Sequence, residues 1–259
     1  MALPRAPWRF FLAPFRAANY RTVANAARAF EHPASVLYRY TTNGGSYPYD
    51  ITLKTPTGPL KVSLPSYHDL RTANEIFNRK DYAAGENVGV VVDLGANIGI
   101  SALYFLSRNS TSRVYCYEPA PVNIDRLKQN LAAYGDRAII DARAVSDKSG
   151  TFEFNAEPVG RYGGLLTEGY TEPIVNVIEV EVIDINSALE SILAREGHIN
   201  VVKIDTEGTE IPIVKAIRPD LLEKIDEILM EATVEETLFP GKFTQTGHVS
   251  GICRLQRIR

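Results

Sequence analysis

The sequence predicts an α/β protein: a doubly wound, mainly parallel sheet preceded by a small N-terminal helical and β extension. Three observations carry this. Short apolar runs alternate with amphipathic runs of helical length across residues 88–232. The first of those runs flows straight into a glycine turn, in VVDLGANIG at 91–99. The next run ends in an acid, Glu118, in YCYEP.

Composition narrows the function. The 259 residues carry a net charge of −3, with 45% hydrophobic and 23% charged side chains, the profile of an ordinary globular protein. No broad basic face is available for a phosphate backbone, so nucleic acid is not an expected partner. Two distant cysteines and four histidines form no disulfide framework and no zinc spacing, and a reduced, cytoplasmic setting is expected. No apolar run reaches the length of a membrane span. Five arginines (Arg5, Arg9, Arg16, Arg21, Arg28) precede the first acid, Glu31, and mix with Trp8, Phe10, Phe11 and Phe15. Pro7, Arg9, Pro14 and Arg16 interrupt the apolar core that a signal peptide needs. This segment reads as an arm packed on the protein or on a partner subunit, with membrane contact as the second reading. A homo-oligomer is left open.

The elements follow in order. Residues 41–67 are rich in Gly, Pro, Ser and Thr and contain ITLKT and LKVSL, a hairpin that closes an extension over 1–67. The main domain is expected over 68–259. It opens with a helix over 68–82, Leu70, Ala73, Ile76 and Phe77 sharing one face. VGVVVDLG is a central strand, ISALYFLSRN a helix and RVYCYEP a strand. VNIDRLKQNLAAYG is a helix closed by Gly135, and RAIIDARAV is a single strand. TFEFN answers it across the DKSG turn, and GRYGGLLTEG is a loop long enough to cover a site. VIEVEVIDI, INVVKID and IDEILMEA are strands, with NSALESILAREG and PIVKAI as helices between them. The tail after Ala232 supplies one more hairpin, with Gly247 and Gly251 near its turns.

The glycine turn, Asp93-Leu94-Gly95-Ala96-Asn97-Ile98-Gly99, departs from a dinucleotide fingerprint. The second glycine of G-x-G-x-x-G lets the backbone approach a pyrophosphate. Here Asn97 stands in that place, and its side chain crowds it, although asparagine tolerates the left-handed backbone the turn needs. A ligand with adenosine and no pyrophosphate fits better, and S-adenosylmethionine is one. Asp93 would suit the ammonium of its amino-acid tail, directly or through water. Glu118, 25 residues after Asp93, offers two coplanar acceptors to a pair of ribose hydroxyls.

At this point the sequence resembles the FkbM-type S-adenosylmethionine-dependent methyltransferases over roughly residues 68–232. DLGANIG (93–99), YEPAPVNIDRLKQN (117–130), AVSDKSGTFEF (144–154) and VKIDTEGTE (202–210) carry the resemblance, with NEIFNRKDY (74–82) as a lead-in. It implies a Rossmann-like class I methyltransferase fold with seven strands. It implies methyl transfer, mostly to oxygen on sugars, polyketides and related small natural products. It implies cofactor contacts from Asp93, Gly95, Ala96, Asn97, Gly99, Glu118, Pro119, Ala144 and Val145.

In-line methyl transfer depends mainly on alignment, and a hydroxyl acceptor must also lose its proton. Asp205 closes the strand INVVKID, Glu207 and Glu210 follow in the turn, and Glu231 closes the fifth strand. Lys203 lies inside an otherwise apolar strand, an expensive place unless it is paired. Asp205, Glu207 and Lys203 are the expected catalytic set, with Glu210 a helix N-terminal charge. No metal is assigned; a divalent cation such as magnesium would draw on Asp205, Glu207 and Glu231. Glu75 and Tyr82 of the lead-in either approach the cofactor's tail or simply pack. His68 and His248 are read as surface or loop residues rather than bases. Two readings from other classes stay open. An NAD-dependent oxidoreductase would lack a Tyr-x-x-x-Lys pair and would have to accommodate Asn97. A non-catalytic adenosine-binding module would act through the N-terminal arm. A nucleic-acid methyltransferase would be expected to carry an Asn/Asp-Pro-Pro-aromatic stretch where this chain has IDTEGTE.

Overall fold

The computed structural model describes residues 24–157, 160, 163–167, 170–247 and 251–258, so most of the arginine-rich segment, and His248, lie outside it. Contacts divide the chain into two units, Met1–Lys80 and Asp81–Arg259.

In the first unit, helix α1 (Pro33–Thr42) starts on a proline, whose missing N–H costs nothing at that position. Strands β1 (Tyr49–Thr55) and β2 (Gly58–Leu64) form the expected hairpin, with Ile51, Leu53, Val62 and Leu64 buried along one face. Phe30, fully buried, bridges to Leu53. Helix α2 (Tyr67–Ala73) is started by a capping box between Ser66 and Asp69. The single helix expected over 68–82 is not seen. At Asn74 it widens into a π-helix, Asn74–Arg79, and it stops at Lys80, whose left-handed residue donates its N–H to the Glu75 carbonyl. The buried Asn78 side chain donates to Asn74 within that wide turn, which occupies polar groups an apolar helix face would not have carried.

The second unit is built on β3 (Val90–Leu94), α3 (Ile100–Leu106), β4 (Arg113–Tyr117), α4 (Pro121–Leu131) and β5 (Ala138–Asp141). After an excursion through β6 (Ala144–Ser146), β7 (Gly150–Asn155), β8 (Gly164–Leu165) and β9 (Val177–Asp184), the chain returns. It continues through α5 (Ile185–Glu196), β10 (Ile199–Ile204), α6 (Glu210–Ala216), α7 (Pro219–Leu222), β11 (Ile225–Glu231), β12 (Phe243–Gly247) and β13 (Ile252–Arg257). The main sheet has seven strands in the order β12-β13-β11-β10-β3-β4-β5. Neighbours from β11 to β5 run parallel, and β13 runs antiparallel to both β11 and β12 as the expected terminal hairpin. The central strands are covered on both faces, which is why they read as unbroken apolar runs; Val92, Leu94, Val202, Ile204, Ile228 and Met230 are all fully buried. Strand order reverses between β3 and β10, and a doubly wound sheet opens its ligand crevice at that reversal.

RAIIDARAV, expected as one strand, is two. Arg143 grips Asp141 with two hydrogen bonds of 2.9 and 2.6 Å across a bend, and only Ala138–Asp141 joins the main sheet. Ala144–Ser146 turns away to pair with Val182–Asp184 in a separate four-stranded sheet of order β6-β9-β7-β8. VIEVEVIDI belongs to this second sheet. Its alternation explains the placement, since Val180 and Val182 are buried while Glu179 and Glu181 face out, the pattern of a strand covered on one face only.

The crossing of β3 and β10 fixes one glycine. A Cβ added to Gly95, whose φ is +77°, would lie 1.8 Å from the Asp205 carbonyl oxygen. Gly197, which ends α5 at φ +74°, has nothing within 4 Å of such a Cβ. Gly197→Ala is therefore expected to cost only the left-handed backbone penalty, about 1 kcal/mol. Gly95→Ala adds a clash with backbone and is expected to cost about 3 kcal/mol or more. Urea unfolding of the two variants measures the difference.

Candidate active site

The site is assembled from two strand ends that meet at the reversal point. On one side, β3 leads into the glycine turn. The N–H groups of Gly95 and Ala96 both donate to the Tyr117 carbonyl at 3.0 Å, tying the turn to β4. Asn97 takes a left-handed backbone, φ 50°. Its side-chain oxygen accepts from the Ile98 N–H at 2.7 Å and its amide donates to the Gly160 carbonyl at 2.9 Å. Its side chain thus stands at the second-glycine position, held at both ends. Gly99, with a Cβ position 2.7 Å from the Leu127 side chain, lets α4 close on the turn.

The second acid of the motif sits where the turn needs it. Glu118, almost fully buried, accepts from the Asn97 N–H at 2.8 Å through one oxygen and from the Ala120 N–H at 3.0 Å through the other. Burial pushes its carboxyl up, and the hydrogen bonds from Ala120, Asn97 and Asn123 oppose that push. Asn123 also donates to Glu118 and to the Gly160 carbonyl, at 3.3 and 3.0 Å. It was not singled out from sequence, although an amide beside the apolar stripe of α4, five residues after the acid, was the available signal. Pro119 beside Glu118 is half-buried. Ala144 packs in a cluster with Ala120, and Val145 joins the main core with Tyr117.

On the other side, β10 carries Lys203 directly across from Asp93. Lys203 is 1% exposed. Its ammonium lies 2.9 Å from Asp93 Oδ1 and 3.3 Å from Asp205 Oδ2, and it donates to the Gly95 carbonyl at 2.9 Å. Burial alone would push this amine toward neutrality, but the Asp93 and Asp205 carboxylates outweigh it and hold Lys203 above its ordinary value. Lys203 is a fixed cation rather than a base. Asp93 is wholly buried, with Ser101 as its second partner. One carboxylate oxygen of Asp93 faces Lys203 and the other accepts from Ser101.

Asp205 is partly exposed, and its Oδ2 also accepts from the buried Tyr82 hydroxyl at 3.2 Å. Burial first, then the charges of Asp205, Glu231 and Asp93, push the Tyr82 phenol well up, so it remains a donor. Tyr82 therefore serves this acid; the contact spans 123 residues and no sequence pattern announces it. Glu207 has φ 56°, a strained backbone for a side chain of its kind. Burial, followed by the charges of Asp205, Glu231, Glu210 and Glu172, raises its carboxyl to about 8. Glu210 opens α6, where a helix N-terminal charge was expected, and its carboxylate folds back to accept from the N–H groups of Thr206 and Gly208 in the preceding turn. Glu75 pairs with Arg71 and Arg79 on its own helix in the first unit, to which His68 also belongs. Among the described residues, no group of three or more His, Cys, Asp or Glu side chains could hold a metal ion. None of the described helices is long and apolar enough to cross a membrane.

Residues 93–252 match the family described as the methyltransferase FkbM domain. Among curated proteins, the chain is 27% identical over 218 residues to the AMB antimetabolite synthetase AmbE of Pseudomonas aeruginosa, covering 66% of this chain and 10% of that protein. It is 28% identical over 172 residues to the hexuronic acid methyltransferase AglP of Haloferax volcanii, covering 63% of each. It is 27% identical over 209 residues to the 31-O-demethyl-FK506 methyltransferase FkbM of Streptomyces tacrolimicus, covering 70% of this chain and 80% of that one. The first two matches span less than two thirds of those relatives' lengths.

Two outcomes follow from the geometry. Lys203→Met leaves the Asp93 carboxylate buried without its cation and is expected to cost about 3–5 kcal/mol. Adding Asp93→Asn should recover part of that loss in denaturant titration, since the stranded charge is gone. Folded Glu207 keeps its proton to about 8, against an ordinary value of 4.5, so its stabilising contribution is complete below 4.5 and disappears as pH rises through 8. Thermal melts should therefore show wild type losing stability relative to Glu207→Gln across that window.

Proposed function

Because the chain belongs to the FkbM-domain family of S-adenosylmethionine-dependent methyltransferases, we propose that it methylates a hydroxyl oxygen on a sugar, polyketide or related small natural product. The printed activities of AglP and FkbM favour such acceptors. One observation carries the reading: the donor-binding turn and the acceptor-side acids are in direct contact. Gly95 abuts the Asp205 backbone, and the Lys203 ammonium joins the Gly95 carbonyl to the Asp205 carboxylate.

The residues suit S-adenosylmethionine. Glu118 supplies carboxylate acceptors for ribose hydroxyls, and Asn97 fills the space that a pyrophosphate would need. That filling is also what disfavours NAD. When bound, S-adenosylmethionine supplies an electrophilic methyl on a sulfonium that leaves as a neutral thioether. The protein's work is alignment and proton removal. Glu207, with its carboxyl near 8, takes the acceptor's hydroxyl proton. Asp205, fixed through Oδ2 by Tyr82 and Lys203, keeps its other oxygen to accept a hydrogen bond from the acceptor. Lys203 and Asp93 hold the arrangement without touching substrate.

Calorimetry with S-adenosylhomocysteine and NAD tests the donor assignment. The homocysteine compound should bind, and Glu118→Ala should weaken it about 10–100-fold, the scale of a lost charged hydrogen bond. Binding of NAD alone would overturn the reading. With an acceptor in hand, log kcat/KM should climb with pH and level off near 8 as Glu207 loses its proton, and Glu207→Gln should abolish that limb.

A further inference from the structure

The second sheet ends against the acceptor-side acid. At that end, Val177 of β9 pairs with Asn155 of β7, and Asn155 pairs with Gly164 of β8. A Cβ on Gly164 would lie 2.9 Å from the Glu207 carbonyl oxygen and 2.7 Å from the Tyr170 ring, so this end of the sheet backs directly onto Glu207. Glu172 is close enough for its charge to bear on Glu207. The same end carries an apolar ridge. Ile174, Val175 and Val177 are 62%, 59% and 45% exposed, three of the five most exposed large hydrophobic residues among those described.

The ridge is held, not loose. Asn155 is 1% exposed and spends its whole side chain on this segment. Its amide donates to the Tyr170 hydroxyl and to the Pro173 carbonyl, and its oxygen accepts from the N–H groups of Val175 and Asn176. A buried asparagine committed in this way fixes the backbone that displays the apolar side chains. Exposed apolar side chains on backbone held in this way beside a polar site mark a binding surface. Two strand spacings, about 10 Å, separate Val177 from Gly164, which abuts the Glu207 backbone.

We infer that the acceptor is amphipathic: its hydroxyl meets Glu207 while an apolar body lies along Ile174, Val175 and Val177. This rests on the methyl-transfer reading and narrows it. A bare sugar leaves the ridge wet, whereas a sugar bearing an alkyl or polyketide body covers it.

The test uses the full chain saturated with S-adenosylhomocysteine, with methyl NMR of Ile and Val groups. The probes are n-octyl β-D-glucoside, below its micelle concentration, and glucose. The octyl compound should shift the Ile174, Val175 and Val177 methyls and bind at least about tenfold more tightly than glucose. The double variant Ile174→Ser, Val175→Ser should erase that preference while leaving S-adenosylhomocysteine affinity unchanged. Equal binding of the two probes, or a preference that survives the double variant, overturns the inference and leaves the donor reading intact. Sedimentation of a dimer that the same substitutions dissociate also overturns it, assigning the ridge to a second copy of the chain. Failure of wild type to bind S-adenosylhomocysteine overturns the methyl-transfer reading itself, and this inference with it.

Discussion

The buried ammonium of Lys203 is the constraint on which the site depends. It stands between two carboxylates and one carbonyl, on a strand whose other side chains are apolar. Taking it from water is costly, and the cost is offset only because Asp93, Asp205 and Gly95 converge on it. That convergence fixes the spacing of β3 and β10, the exit of the glycine turn and the orientation of the acceptor-side acid together. The glycine turn and Asp205 share one charge and so cannot drift independently.

The same arrangement separates the acids by role. Asp93 is entirely internal and structural. Asp205 is pinned on one oxygen and open on the other. Glu207 sits on strained backbone among other acids and holds its proton to about 8. Burial, pairing and hydrogen bonding thus give three neighbouring carboxylates different surroundings.

Much of this was legible in the sequence, and the limits have physical causes. The strands of the main sheet are apolar on both faces and the helices on one, so their periodicities declared them. Asn97 and Glu118 were legible because a turn and a strand end restrict which side chains fit. Lys203 stood out as a cost needing a partner, but its partner Asp93 comes from a strand pairing 110 residues distant in the chain, which local pattern does not encode. Asp93 was legible as a strand-end acid, while its register opposite Lys203 was not, for the same reason. The second sheet was hidden because a bend at Asp141–Arg143, not a turn motif, diverts the chain. Tyr82 and Asn123 act across long loops, and Glu207's positive φ falls on a residue type that gives no warning of it.

The central claim, that one protonated lysine joins the glycine turn to Asp205, is tested most directly by observing that amine. Nitrogen-15 NMR of the Lys203 side chain, with carbonyl and carboxylate carbons labelled, reports its protonation and its hydrogen-bond partners in one experiment. The account predicts a slowly exchanging ammonium coupled to the Asp93 carboxylate and the Gly95 carbonyl, still protonated above the ordinary lysine value of 10.5. A neutral amine, or one that titrates at or below that value without coupling to either partner, would contradict it.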